Sequence, residues 1–87
     1  TNIQIINRFL DGAVTGSNKK GSLYIVGDRL FSYGPHFPLA KRDPALNAII
    51  VNNRKYSITT AHHKSRVIRM AETKGLDVQE RDLPPLS

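Results

Sequence analysis

S-L-Y-I-V-G-D-R-L-F-S-Y, residues 22–33, is the stretch that decides the fold class of this 87-residue chain. Two β-prone pentads flank Gly27-Asp28, and a two-residue spacer between such runs marks a hairpin closed by a tight primed turn. A turn of that length predicts the pairing: Val26 with Arg29, Ile25 with Leu30, Tyr24 with Phe31 and Leu23 with Ser32. Alternation along the strands then puts Leu23, Ile25 and Leu30 on one face, and Tyr24, Val26, Phe31 and Tyr33 on the other.

Downstream, Gly34-Pro35 breaks the run. H-F-P-L-A at residues 36–40 suits a short edge strand that tolerates Pro38, and K-R-D-P at residues 41–44 reads as a charged turn. A-I-I-V and Y-S-I flank Asn52-Asn53, which predicts a second hairpin over residues 47–58 with Ile49, Val51, Tyr56 and Ile58 on a common core face. Thr59 and Thr60 are suitable N-caps, and residues 61–74 contain no proline or glycine before Gly75 supplies a stop. At about 100° per residue, Val67, Ile68, Ala71 and Ala61 cluster on one side of this helix with His63 and Met70 at the margin. His62, Ser65, Arg66, Arg69, Glu72 and Thr73 take the opposite side, and Lys64 falls among the apolar positions, where it must snorkel or lie at the edge of the core.

Upstream, N-I-Q-I-I-N-R-F-L at residues 2–10 alternates imperfectly and reads as a strand rather than a short helix. Residues 11–21 carry three glycines, Asn18 and Lys19-Lys20, the composition of a mobile basic loop. After Leu76 the chain turns polar and ends in prolines, so residues 1–76 read as one compact domain and residues 77–87 as an extended or frayed tail. The expected fold is α+β: a small antiparallel sheet of two hairpins and an edge strand, packed by one C-terminal amphipathic helix.

A chain of this length holds one hydrophobic core, and 39% apolar with 23% charged residues is an ordinary globular composition. No apolar run approaches the roughly 18 residues of a membrane span, and residues 1–10 lack the order of a secretory signal, which points to the cytoplasm. The absence of cysteine excludes disulfides, thiolate zinc sites and thiol nucleophiles. Thirteen Lys and Arg against seven Asp and Glu leave a net charge of +6, which draws the protein towards polyanions: nucleic acid, anionic lipid or an acidic protein face.

His62, Arg66 and Arg69 recur at helical spacing and form one exposed stripe suited to phosphate contacts. Lys64, Arg54 and Lys55 extend that patch, and the Lys19-Lys20 loop offers a second contact. The same residues would also make an ordinary solvated face. Tyr24, Phe31 and Tyr33 beside Arg29 have the makings of a stacking platform for single-stranded bases, although aromatics on a sheet face commonly belong to the core. His36, His62 and His63 do not converge at ligand spacing, so neither a metal nor another cofactor is called for. A metal-independent nuclease would pair His36 with His62 or His63 as base and acid. No glycine-rich phosphate cradle, nucleophile elbow or zinc spacing occurs.

G-D-R-L-F-S-Y-G-P-H-F-P-L-A, from residue 27, and N-N-R-K-Y-S-I-T-T-A-H-H-K-S, ending at residue 65, together resemble an uncharacterised small domain of phage and mobile-element proteins. That domain carries a Ser-Tyr-Gly turn and a Tyr-Ser-x-Thr-Thr-x-x-His helix start, and the resemblance, over the stretch from residue 27 to residue 65, covers just under half of the chain. It brings no activity. It implies a phage- or plasmid-encoded accessory protein acting on host macromolecules in the host cytoplasm. The function expected is therefore a non-enzymatic nucleic-acid-binding module for DNA or RNA. The alternatives are a phage inhibitor that binds an acidic or nucleic-acid-binding face of a host protein, and the small nuclease. An exposed strand edge leaves a homodimer open.

Overall fold

The computed structural model describes residues 2–32, 38–54 and 58–83, apart from the side chain of Thr59. Tyr33, His36, Lys55, Tyr56 and Ser57 lie outside the described residues. Helix α1 (Asn2–Leu10) is followed by strands β1 (Thr15–Ser17), β2 (Leu23–Val26), β3 (Arg29–Ser32), β4 (Pro38–Asp43) and β5 (Ala48–Asn52), then helix α2 (Ile58–Thr73) and strand β6 (Asp77–Arg81). The six strands form one sheet in chain order, antiparallel from β1 to β5, with β6 parallel to β5. A parallel neighbour needs a crossover, and α2 is that crossover. The α+β class expected from the sequence holds, with more strands and one more helix than anticipated.

The β2–β3 hairpin has the expected register: Leu23 pairs with Ser32, Tyr24 with Phe31, Ile25 with Leu30, and Val26 with Arg29. Gly27 takes φ +63°, the left-handed conformation that the tight turn requires. Leu23, Ile25 and Leu30 are buried beneath the helices, with Ile5, Ile6, Phe9 and Leu10 of α1, Val67 and Ala71 of α2, and Ile49 and Val51 of β5. Both helices thus cover one face of the sheet.

Residues 2–10 form a helix instead of the expected strand. Their isoleucines favour strands locally, but Ile5, Ile6, Phe9 and Leu10 follow helical spacing and all four are buried, so tertiary packing overrides propensity. Gly12 at φ +105° then ends the helix, with the Gly12 amide donating to Phe9 O and the Ala13 amide to Arg8 O. Gly75 ends α2 in the same way, as the sequence indicated: its amide donates to Glu72 O and that of Leu76 to Ala71 O.

Other expectations change. Residues 11–21 contain β1 rather than a continuous loop. Residues 38–44 do not give an edge strand and a turn, because β4 lies between β3 and β5 and includes Lys41, Arg42 and Asp43; residues 36 and 37 lie outside the described residues. Pro38 is tolerated as the first residue of its strand. Phe31 pairs with Pro38 and Leu30 with Ala40, so Leu39 is an extra residue, and this bulge lets Leu39 and Ala40 both join the core. The second hairpin does not form: both edges of β5 are taken by β4 and β6, and Ile58 is an exposed residue of α2. Residues 77–81, read as part of a tail, are strand β6, and Asn52 secures the chain beyond it by donating to Leu83 O at 3.1 Å and to Pro38 O at 2.9 Å.

Arg42 is the side chain that locks α1 onto the sheet. Its Nη1 donates to Phe9 O and Ala13 O, each at 2.7 Å, its Nη2 donates to Gly27 O at 2.9 Å, and its guanidinium lies 4.9 Å from the centre of the Phe9 ring. A cation at the carbonyl end of a helix is also favoured by the helix dipole. Arg42→Ala should cost about 3 kcal/mol in urea unfolding, because it removes the charged donor shared by the part-buried carbonyls of Phe9 and Ala13. Arg42→Lys should recover only a fraction, since one ammonium cannot span carbonyls that the planar guanidinium fork reaches together.

A basic concavity beside a buried polar chain

Helix α2 starts at Ile58, earlier than the threonine caps predicted, so Thr60 lies inside the first turn and is buried. The inward side of the helix is shifted accordingly. Val67 and Ala71 are buried as expected, but Ala61 is exposed and His63 is only 7% exposed. Lys64 extends along the core margin to Glu80, with 2.7 Å between Nζ and the carboxylate.

His63 belongs to a chain of polar side chains that joins four parts of the fold. Asn18, in the turn after β1, donates to Asn2 Oδ1 at 2.7 Å, and Asn2 Nδ2 stands 3.1 Å from His63 Nε2. On the other side of the ring, His63 Nδ1 is 2.9 Å from Ser32 Oγ, which is 3.3 Å from Thr60 Oγ1. An amide NH2 is a donor, so Nε2 accepts; the ring proton therefore sits on Nδ1 and is donated to Ser32. The Ser32 and Thr60 hydroxyls share a further hydrogen bond, in which either can donate. The histidine is thus a buried ring that ties both helices to the sheet.

The outward side of α2 carries the predicted stripe. His62, Arg66 and Arg69 line one open concavity of about 360 Å³, together with Ser65, Met70 and Ile3 of α1. Among the described residues neither Arg66 nor Arg69 pairs with an acid; the ion pairs present are Arg54–Asp82 at 2.9 Å, Lys64–Glu80 and Lys74–Asp11 at 3.0 Å. The eight residues singled out as a nucleic-acid surface therefore divide. His62, Arg66 and Arg69 come together. Arg54 and Lys64 are engaged by acids at the β6 end, and Lys55 lies outside the described residues. Lys19 and Lys20 are exposed in the β1–β2 turn, which is ordered by Asn18: its Oδ1 accepts from the Ser22 amide at 3.0 Å and its amide donates to Leu23 O at 3.0 Å. Because Asn18 also holds Asn2, this turn is fixed near the start of α1, whose next residue, Ile3, lines the concavity.

Ile3 was not anticipated; with residues 2–10 read as a strand, nothing placed it beside α2. The aromatic trio also sorts differently. Phe31 is 1% exposed and the Tyr24 ring stacks on it, with centroids 5.2 Å apart and 10° between planes, while Tyr33 lies outside the described residues. Among the described residues no three His, Asp or Glu side chains converge to hold a metal, and no helix is long and apolar enough to cross a membrane. Comparisons with protein-family profiles, curated proteins and solved structures found no match.

Burial lowers the pKa of His63 from its ordinary 6.5, and the nearby Arg66 and His62 lower it further. Between the folded and unfolded values the unfolded chain binds more protons. Stability should therefore be flat with respect to this group above about pH 6.5, fall as the pH drops below it, and level off below the folded value. Urea unfolding across that range should show this slope, and His63→Gln should remove it.

Proposed function

We propose that this chain is a small nucleic-acid-binding accessory protein without catalytic activity of its own, carried by a phage or plasmid and acting on DNA or RNA in the host cytoplasm. The observation that supports this most directly is the pair Arg66 and Arg69, exposed on one stripe with His62 and unpaired with acids among the described residues. Arginines that serve only as solvated surface are frequently tied into ion pairs, as Arg54 is here. A guanidinium with no carboxylate to displace can take a phosphate at less cost. Ile3 and Met70 give the concavity an apolar part of its lining against which a sugar or base can rest. Lys19 and Lys20 add charge at the neighbouring turn, and the net charge of +6 supplies long-range attraction.

Each phosphate neutralised releases counterions, so affinity should fall steeply with salt. Replacing Arg66 and Arg69 together with alanine should weaken binding to nucleic acid and reduce the slope of log affinity against log salt by about 2. Arg54→Ala, whose partner is already Asp82, should change both much less. Fluorescence anisotropy titrations at several salt concentrations measure both quantities. Unchanged affinity and slope in the double variant would remove this surface from the proposal, and no binding to nucleic acid together with capture of one stoichiometric host protein would replace it with the inhibitor reading.

A further inference from the structure

The Tyr24–Phe31 stack stands on the face of the sheet opposite the helices, since Leu23, Ile25 and Leu30 point into the helix-covered core. Tyr24 and Phe31 are cross-strand partners, and their 5.2 Å centroid separation is close to the spacing between strands, about 4.8 Å. The ring planes therefore stand across the sheet. One face of Tyr24 is covered by Phe31, and the other looks towards β1, where its partner is Ser17. Serine is too short to cover a ring, and the Ser17 hydroxyl is turned to Asn18 O at 2.9 Å. A half-buried tyrosine, backed by a fully buried phenylalanine, thus presents a ring face at the sheet's β1 edge.

Charge flanks this ring in both directions along the strands. Lys19 and Lys20 follow Ser17 at one end. At the other, Arg29 pairs with Lys41, and Arg29 Nε is buried with no hydrogen-bond partner. The acids Asp28, in the β2–β3 turn directly before Arg29, and Asp43, the last residue of β4, lie beyond these two cations, counted along β3 from Phe31 and along β4 from its partner Pro38. An aromatic face between cations is the arrangement that takes a nucleobase by stacking and its neighbouring phosphates by charge.

Building on the nucleic-acid reading above, we infer that the ligand is a single strand, with a base stacked on Tyr24 and the backbone passing over Lys19 and Lys20 to the Arg66–Arg69 concavity. The two sites lie on opposite faces of the sheet, with the β1–β2 turn between them, in a body only 28 × 25 × 24 Å. A duplex, stiff over about 150 base pairs, cannot reverse around such an edge, whereas a flexible strand of several nucleotides can.

The test is anisotropy of a labelled oligonucleotide of about twelve nucleotides, and of a blunt duplex of the same length, against the wild type, Tyr24→Ala and Tyr24→Phe. The single strand should bind more tightly than the duplex. Tyr24→Ala should lose about tenfold on the single strand and little on the duplex, and Tyr24→Phe should keep the affinity. A fluorescence titration needs no destabilising variant: tyrosine emission should be quenched by the oligonucleotide in the wild type, with most of that change missing in Tyr24→Phe. Equal or tighter duplex binding that is indifferent to Tyr24, or quenching unchanged in Tyr24→Phe, would overturn the single-strand inference and leave the α2 surface standing. Binding to neither probe would overturn both.

Discussion

The hydrogen-bonded line from Asn18 through Asn2, His63 and Ser32 to Thr60 is the constraint on which the arrangement of the molecule depends. Apolar packing alone would let α1 and α2 slide and rotate over the sheet, because burial is non-directional. A buried ring with a donor on one side and an acceptor on the other tolerates little displacement of either helix before one of its bonds is lost. Neutral imidazole is the species that satisfies both neighbours, and burial favours that same species, so packing and protonation reinforce each other. The basic stripe inherits its place from this line. His62 directly precedes His63 on α2, Ile3 is next to Asn2, and Lys19 is next to Asn18.

Several features were legible in the sequence because they depend on neighbours in the chain. The Gly27-Asp28 turn dictated a hairpin register that the structure reproduces residue for residue, Gly75 marked the end of α2, and the i, i+4, i+7 spacing placed His62, Arg66 and Arg69 on one stripe. What was misread depends on distant partners. Residues 2–10 carry three isoleucines, which speak for a strand, yet Ile5, Ile6, Phe9 and Leu10 also fit a helix, and Gly12 is the stop signal that would have decided the matter. Asp77–Arg81 is too polar to announce a strand; it is one because β5 offers an open edge once α2 has crossed over. Arg42 looked like part of a charged turn, and nothing local reveals that its guanidinium spans two carbonyls at the end of α1.

The patch of cations is likewise only half readable from sequence. Counting charges marks all of Arg54, Lys64, Arg66 and Arg69 as equivalent, but Asp82 and Glu80 come back through β6 and its following residues to occupy the first two. The long-range return of the chain therefore divides the basic residues into those that brace the β6 edge and those that remain open to an anion. The same return explains why the cationic surface is narrower than the composition suggests, and why it is centred on the outward side of α2.

The agreement between strand order and chain order bears on how the protein folds. Every pairing from β1 to β5 joins segments that are adjacent along the chain, so this meander can assemble by short loop closures. β6 is different: among the described residues it pairs with β5 alone, and its parallel register depends on the crossover that α2 makes over the sheet. Contact order thus favours early formation of the meander and late closure of β6. Opening of that strand would release Lys64 and Arg54 from their acids without disturbing the Asn18-to-Thr60 line.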